Sequence, residues 1–149
     1  MEFEETLRVP LRWWVQATMF LASVWLAFIV ALPAPVAWAA TSLLTLLVLG
    51  LFLGYGSARL RLAGGVFNAG RAQIQVSFLS APTPLDAEAT RRLAGVDADA
   101  RAYLLLRPYL RRAVRVDVRD PDDPTPYWLI STRRPEELSA ALSTAIVAD

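Results

Sequence analysis

Six arginines in the C-terminal third of the chain carry the most specific chemistry that the sequence offers. They are Arg107, Arg111, Arg112, Arg115, Arg133 and Arg134, with the aromatic residues Tyr109 and Trp128 between them. A guanidinium group binds phosphate or carboxylate through paired hydrogen bonds. We therefore predict that these arginines and Trp128 bind anionic lipid headgroups or an acidic partner. In the alternative interpretation they form a solvated face, which nearby aspartates such as Asp117 partly neutralise.

Most arrangements of catalytic residues are absent from this chain. It has no histidine and no cysteine, and it shows no serine-nucleophile, phosphate-binding or metal-ligand spacing. Asp120, Asp122 and Asp123 offer oxygen ligands, but the prolines around them favour a hairpin turn over a cation site. We predict no enzymatic activity, no metal and no cofactor, and we keep a small membrane enzyme as the weakest alternative.

Length and composition limit the number of domains and the kinds of partner. The chain has 149 residues, of which 55% are hydrophobic, and its formal net charge is +1. This length allows one modest domain beside a membrane anchor. The small net charge gives no sign of nucleic-acid binding.

A long uncharged stretch covers residues 13–58, with Pro33 and Pro35 near its middle. A helix needs about 20 apolar residues to cross a bilayer, and proline interrupts a helix. We predict two transmembrane helices, 13–32 and 36–55, joined by an extracytoplasmic turn at 33–35. A cleaved signal peptide is disfavoured, because the N-terminal residues are acidic and a second apolar segment follows immediately.

Arginines flank the uncharged stretch on both sides. Arg8 and Arg12 precede the first predicted helix, Arg59 and Arg61 follow the second, and the turn has no basic residue. Basic residues favour the cytoplasmic side of a membrane. We therefore predict that segment 1–12 and a domain at 57–149 are both cytoplasmic. The chain would then be a two-span protein of the cell (inner) membrane with both termini in the cytoplasm.

Small residues recur every four positions in both predicted helices. They are Ser23, Ala27 and Ala31 on the first helix and Ala37, Thr41 and Thr45 on the second. Small side chains allow helices to approach closely, so we predict that these residues form the seam between the two helices. Gly50 and Gly54 point to another face. There they form either a second interface, with another copy or a partner helix, or a flexible exit from the helix.

Alternating apolar and polar residues predict a small domain rich in strands at 57–149. The predicted strands are 58–63, 71–79, 102–107, 113–119 and 127–132. Thr83 and Pro84 are expected to begin a short helix that ends at Leu93, and Pro135 is expected to begin an amphipathic C-terminal helix. The predicted fold class is an α+β membrane protein. Its small antiparallel sheet or barrel would bury the apolar face of the last helix.

Several segments together resemble an uncharacterised family of actinobacterial membrane proteins. They are residues 7–14 (LRVPLRWW), 31–35 (ALPAP), 55–59 (YGSAR), 102–109 (AYLLLRPY), 113–116 (AVRV) and 123–135 (DPTPYWLISTRRP). The resemblance covers nearly the whole chain, and its last segment is the most distinctive. It implies a two-helix hairpin followed by a domain similar to bacterial PH-like domains, and it implies no catalytic residues.

The sequence as a whole predicts an interaction module anchored in the membrane. It would present a PH-like domain at the cytoplasmic face. The alternative function is a sensor of anionic phospholipid that uses the arginine-rich face. The expected partners are membrane lipids and either a membrane protein or a second copy of the chain, and no nucleic acid is expected.

Overall fold

A computed structural model describes residues 2–148 of the chain. Met1 and Asp149, the outer bounds of the predicted segments 1–12 and 57–149, lie outside the described residues. The chain divides into two compact units. The first covers residues 8–57, and the second combines the residues up to Leu7 with those from Ala58 onward. The N-terminal segment thus contributes to the C-terminal domain, which the sequence had not indicated.

The first unit consists of two long apolar helices. Helix α1 covers Leu11–Ala31 and helix α2 covers Ala34–Tyr55. They are separated at Pro33, which lacks the N–H that would continue the helical hydrogen bonds. Their mean hydropathies are 1.8 and 2.2, so both are long and apolar enough to cross a membrane. The prediction of two apolar helices separated at the prolines is confirmed.

Aromatic side chains pack across the contact between α1 and α2. Trp14 lies edge-on against Phe52 with the ring centroids 4.9 Å apart. Trp25 packs on Trp38 with a centroid distance of 5.4 Å. Aromatic rings offer far more contact surface per residue than alanine does, so these pairs mark the faces on which the helices meet.

The predicted seam of small residues is therefore wrong for α1 and only partly right for α2. The exposed members are Ser23, Ala27 and Ala31 on α1 and Thr45 on α2. Ala37 is fully buried, and Thr41 is half-buried. The hydroxyls of Ser23 and Thr45 donate to carbonyls one turn earlier in their own helices, so they do not bond across the seam.

Gly50 and Gly54 lie on an exposed face of α2. A Cβ atom added to either glycine would meet no other atom within 4 Å. Both residues are thus outside the α1–α2 contact, in agreement with the sequence analysis. Their role in a second interface stays a prediction.

The second unit contains two four-stranded sheets and two helices. The first sheet is antiparallel and keeps the chain order β1 (Phe3–Thr6), β2 (Arg59–Ala63), β3 (Val66–Ala69) and β4 (Ala72–Gln75). The second sheet has the order β5-β7-β8-β6, with β5 (Leu79–Leu85), β6 (Tyr103–Leu105), β7 (Ala113–Val118) and β8 (Tyr127–Ser131). Helix α3 (Ala87–Ala94) follows β5, and helix α4 (Pro135–Ala148) follows β8. The α+β class is confirmed, with one parallel pair between β6 and β8.

Two predicted elements differ from the structure. The predicted strand 71–79 is interrupted, because β4 ends at Gln75 and a 3-10 turn covers Val76–Phe78. The predicted helix start at Thr83 is wrong, because Thr83 lies in β5. Helix α3 is instead capped by Asp86, whose Oδ1 accepts a hydrogen bond from the backbone N–H of Ala89 at 2.8 Å.

One apolar core joins both sheets and α4. Its fully buried side chains include Phe67 from β3, Val114 from β7, Ile130 from β8 and Leu142 from α4. Within residues 2–148 the two sheets remain open and do not close into a barrel. The prediction that the last helix buries its apolar face against a sheet is consistent with this core.

We expect Leu142→Asp to unfold the second unit. Leu142 is fully buried, and a carboxylate placed without a partner in an apolar core costs a large part of the stability of a small domain. Val147→Asp is the matched control, since Val147 is 87% exposed on the same helix. Thermal melts of the full chain in detergent, followed by near-ultraviolet circular dichroism, compare the two variants. A Leu142→Asp melt equal to that of wild type would contradict the docking of α4.

Candidate functional site

The predicted arginine set divides into two groups in the folded domain. The loop after β6 lies against the end of β8, because the N–H of Arg107 donates to Ser131 Oγ at 3.1 Å. The carbonyl of Arg112 also accepts from the N–H of Thr132 at 3.2 Å. These contacts bring Arg107 and Arg112 to the end of β8, where Arg133 and Arg134 follow in the chain. Arg115 lies within β7 and makes different contacts.

A buried glutamate of the N-terminal strand lies against the residues that follow β8. Glu5 of β1 is only 7% exposed. Its carboxylate accepts hydrogen bonds from the hydroxyl of Thr132 and, at 3.0 Å, from the backbone N–H of Arg133. The Thr132 hydroxyl oxygen in turn accepts from the N–H of Arg134 at 3.0 Å. This chain of bonds satisfies a carboxylate that would otherwise be costly to bury.

Arg134 makes contacts with β1 through its guanidinium group. The group donates to the carbonyl of Glu4 at 2.9 Å and lies 4.9 Å from the centre of the Phe3 ring. It also pairs with Glu137 of α4 at 3.0 Å. The side chain of Arg134 thus links strand β1 to the first turn of α4.

Arg133 and Tyr109 contact the end of β1. The Arg133 guanidinium donates to the carbonyl of Thr6 at 3.4 Å, and it lies 5.9 Å from the Tyr109 ring. The Tyr109 hydroxyl donates to the carbonyl of Leu7 at 3.1 Å. Burial raises the pKa of Tyr109, and the nearby positive charges of Arg107 and Arg133 oppose this effect.

We call Tyr109, Thr132, Arg133 and Arg134 the β1 clamp, since all four hold the N-terminal strand directly or through Glu5. Sequence reasoning missed Glu5 and Thr132 entirely. The signal that could have found Glu5 is the alternation of Phe3, Glu5 and Leu7, which places an acid in a row of inward-facing residues.

The remaining arginines are largely engaged with acidic residues. Arg112 forms an ion pair with Glu136, and its hydrogen bond lowers the pKa of that carboxyl group. Arg115 pairs with Asp117 at 2.9 Å and stacks over the Tyr127 ring at 4.4 Å. Arg111 is exposed beside Arg112. The predicted face is therefore much less positive than the count of its arginines suggests.

Trp128 does not belong to a binding surface, and its assignment to the site is wrong. It is 4% exposed, and its ring packs on Tyr103 at 4.8 Å and on Phe67 at 6.1 Å. The side chains of β8 are buried throughout, because Trp128 and Ile130 pack into the main core while Tyr127 and Leu129 pack into a second apolar cluster. The apolar run that contains Trp128 is therefore core.

A groove of about 430 Å³ lies beside α3. Its lining combines Leu93 and other apolar residues with two ion pairs. These are Arg115 with Asp117 and Arg92 with Asp97, the latter at 3.5 Å. Because each arginine in the lining is matched by an aspartate, the groove carries no net charge that would select an anion.

The acidic segment after β7 is organised as a turn. Asp120 Oδ1 accepts from the N–H of Asp122 at 2.9 Å, and Asp123 Oδ1 accepts from the N–H of Thr125 at 2.9 Å. Carboxylates that bond to backbone two residues ahead are typical of turns. In the part of the chain that the structure describes, no group of three or more acidic residues is placed to hold a metal ion.

Comparison with known proteins gives one match. A family model described as "Protein of unknown function (DUF3093)" matches residues 2–142. No curated protein and no solved structure matches the chain.

Proposed function

The chain belongs to the DUF3093 family, whose function is unknown, and we propose that it is a membrane-anchored, non-enzymatic interaction module. In this proposal α1 and α2 cross the membrane, and the second unit presents its surface to partners close to the bilayer. The proposal rests chiefly on the pairing of β1 with β2.

The β1–β2 pair carries the argument for anchoring. Strand β1 precedes α1 and β2 follows α2, yet the two are antiparallel neighbours with Phe3 opposite Leu62 and Thr6 opposite Arg59. This pairing supports a hairpin whose two ends lie on the same side of a membrane, as two spans require. If α1 were cleaved off as a signal sequence, β1 would be lost from its sheet with it. The pairing of β1 with β2 therefore supports helices that stay in the mature protein.

The exposure of the helices supports the same proposal. Among the described residues, α1 has none that is buried and α2 has Ala37 alone. Core helices of a soluble domain bury an apolar face. Helices that are apolar on all sides and uncovered by protein are expected to lie in lipid.

The connections between the helices and the domain are short. Residues 8–10 lie between the N-terminal segment and α1, and residues 56–58 lie between α2 and β2. Three extended residues span at most roughly 11 Å, so the domain stays near the bilayer. Confinement of this kind raises the effective concentration of the domain toward other membrane-bound proteins.

The side of the membrane and the finer fold are also proposed. Arg8, Arg12, Arg59 and Arg61 adjoin the helix ends, and the positive-inside rule then favours the cytoplasm for both termini. A PH-like domain is supported by two mainly antiparallel four-stranded sheets followed by a C-terminal helix. The absence of histidine and cysteine from the sequence supports a role without catalysis.

We expect single-cysteine variants to map both ends of the hairpin to the same side of the membrane. Since the chain has no cysteine, Glu2→Cys, Ala34→Cys and Val96→Cys each introduce one exposed thiol. In spheroplasts a membrane-impermeant maleimide should label the Ala34→Cys variant at once. The other two variants should react only after permeabilisation. Labelling of the Glu2→Cys and Val96→Cys variants on opposite sides would contradict the anchoring.

We expect partners of the folded domain to depend on its core. The full chain is captured from detergent-solubilised membranes, and bound proteins are quantified by mass spectrometry. Wild type and Val147→Asp should capture a common set, which Leu142→Asp should lose because its domain is unfolded. Identical sets from all three chains would show that the folded domain is not what binds.

A second candidate function, recognition of anionic lipid headgroups, is favoured by one observation. Tyr109 and Arg133 contact Leu7 and Thr6, the residues from which the chain continues toward α1. The loop that holds Tyr109 also carries the exposed Arg111. An arginine near an anionic leaflet gains about 1 kcal/mol.

Headgroup contact predicts slower amide exchange in loop 107–112 on anionic lipid. The full chain is placed in nanodiscs of neutral lipid or of neutral lipid mixed with phosphatidylglycerol. Protection should be greater on the anionic discs and should vanish at about 1 M salt, where screening acts over about 3 Å. The acidic turn at 120–126 is the internal control. Equal exchange of loop 107–112 on both lipids would exclude headgroup binding.

A further inference from the structure

We infer that β1 is a strap, a strand that detaches from the domain while the rest of the fold stays intact. The domain would then have two states. In one it is connected to the hairpin through both β1 and Ala58, and in the other it is connected through Ala58 alone. The consequence for the orientation of the domain rests on the proposed anchoring. The detachment itself rests on contacts within the second unit.

The position of β1 makes its release local. It is an edge strand of four residues that pairs with β2 on one side only. Phe3 and Leu7 belong to the apolar core, but most of the buried side chains of that core come from the segments after Ala58 and from α4. A short strand at a sheet edge, with one neighbour and two apolar side chains to withdraw from the core, opens at lower free energy than the central strands do.

The chemistry of β1 makes its attachment conditional. Phe3, Glu5 and Leu7 are the buried residues of this segment, and the middle one is a carboxylate. An apolar side chain at that position would need no hydrogen-bond partner in order to be buried. A buried carboxylate is stable only while it is hydrogen-bonded. Thr132 and Arg133 supply these bonds to Glu5, so attachment of the strand depends on the β1 clamp.

The clamp lies entirely outside the strand that it holds. Tyr109 is in the loop after β6, and Thr132, Arg133 and Arg134 lie between β8 and α4. Three of these side chains also donate hydrogen bonds to backbone carbonyls of the N-terminal segment: Tyr109 to Leu7, Arg133 to Thr6 and Arg134 to Glu4. A change in this one region therefore acts on the whole length of the strand.

Release of the strap would change how the domain is attached. The closed state holds Leu7 against Ala58, since the N–H of Leu7 donates to the carbonyl of Ala58 at 2.9 Å. In the open state a single connection through residues 56–58 remains. A domain on one short tether reorients more freely than a domain on two, so the surface that it presents to partners differs between the states.

Hydrogen exchange of the full chain in detergent tests this inference. Glu5→Ala should speed exchange of the β1 amides about ten-fold or more, because the bonds to a buried charged group are lost. Exchange in β7 and β8 should stay as in wild type. The matched control is Glu4→Ala, the adjacent acid, whose side chain is exposed. It should leave β1 exchange unchanged.

Two further variants separate a released strap from general damage. Glu5→Gln keeps the size of the side chain and replaces Glu5→Ala in the test if the alanine variant does not fold. It should also increase β1 exchange, but by less. Glu4→Cys combined with Arg61→Cys joins facing residues of β1 and β2. In the Glu5→Ala background this disulfide should restore protection when oxidised and lose it when reduced.

Two results would overturn the inference. One is wild-type exchange of β1 in Glu5→Ala and Glu5→Gln. The other is equal acceleration of β1, β7 and β8, which would mean that the strand opens only with the core. Neither result depends on partner capture, so failure of the strap and failure of the proposed interaction module are distinguishable.

Discussion

The N–H of Leu7 donates to the carbonyl of Ala58 at 2.9 Å, and this bond continues the ladder that β1 forms with β2. The two residues are separated in sequence by the whole helical hairpin, so the ladder joins the chain before the hairpin to the chain after it. A long loop costs little more entropy to close than a moderate one. Helical pairing within the hairpin reduces that cost further, because it already brings the ends of α1 and α2 together.

The arginines of the predicted set mainly form hydrogen bonds and ion pairs within the fold, and they add less positive charge to its surface than their number suggests. Arg133 and Arg134 hold the N-terminal strand, while Arg112 and Arg115 are matched by Glu136 and Asp117. Exposed ion pairs of this kind stabilise a fold only slightly. Their main effect is to reduce the positive potential that the sequence suggests.

The sequence predicted those elements whose signal is local. Uncharged runs around Pro33 indicate the hairpin, and strict alternation indicates β7, because burial on one face imposes a period of two. Strand β1 is harder to predict, because the alternation of Phe3, Glu5 and Leu7 is short and includes an acid, and because its partner β2 is distant in sequence. The sequence around Trp128 does not show that this residue is core, because a fully buried strand lacks the alternation that separates inward from outward side chains.

The first and last described residues of the second unit, Glu2 and Ala148, both line the depression beside Gly64 and Gly65. A fragment that begins at Ala58 would lack β1, so the backbone N–H and C=O groups at the edge of β2 would be unpaired and prone to aggregation. A circular permutant is the better choice, with residues 2–7 appended through a short glycine linker after residue 148 and the hairpin omitted. Such a polypeptide would retain every strand of both sheets without the apolar hairpin.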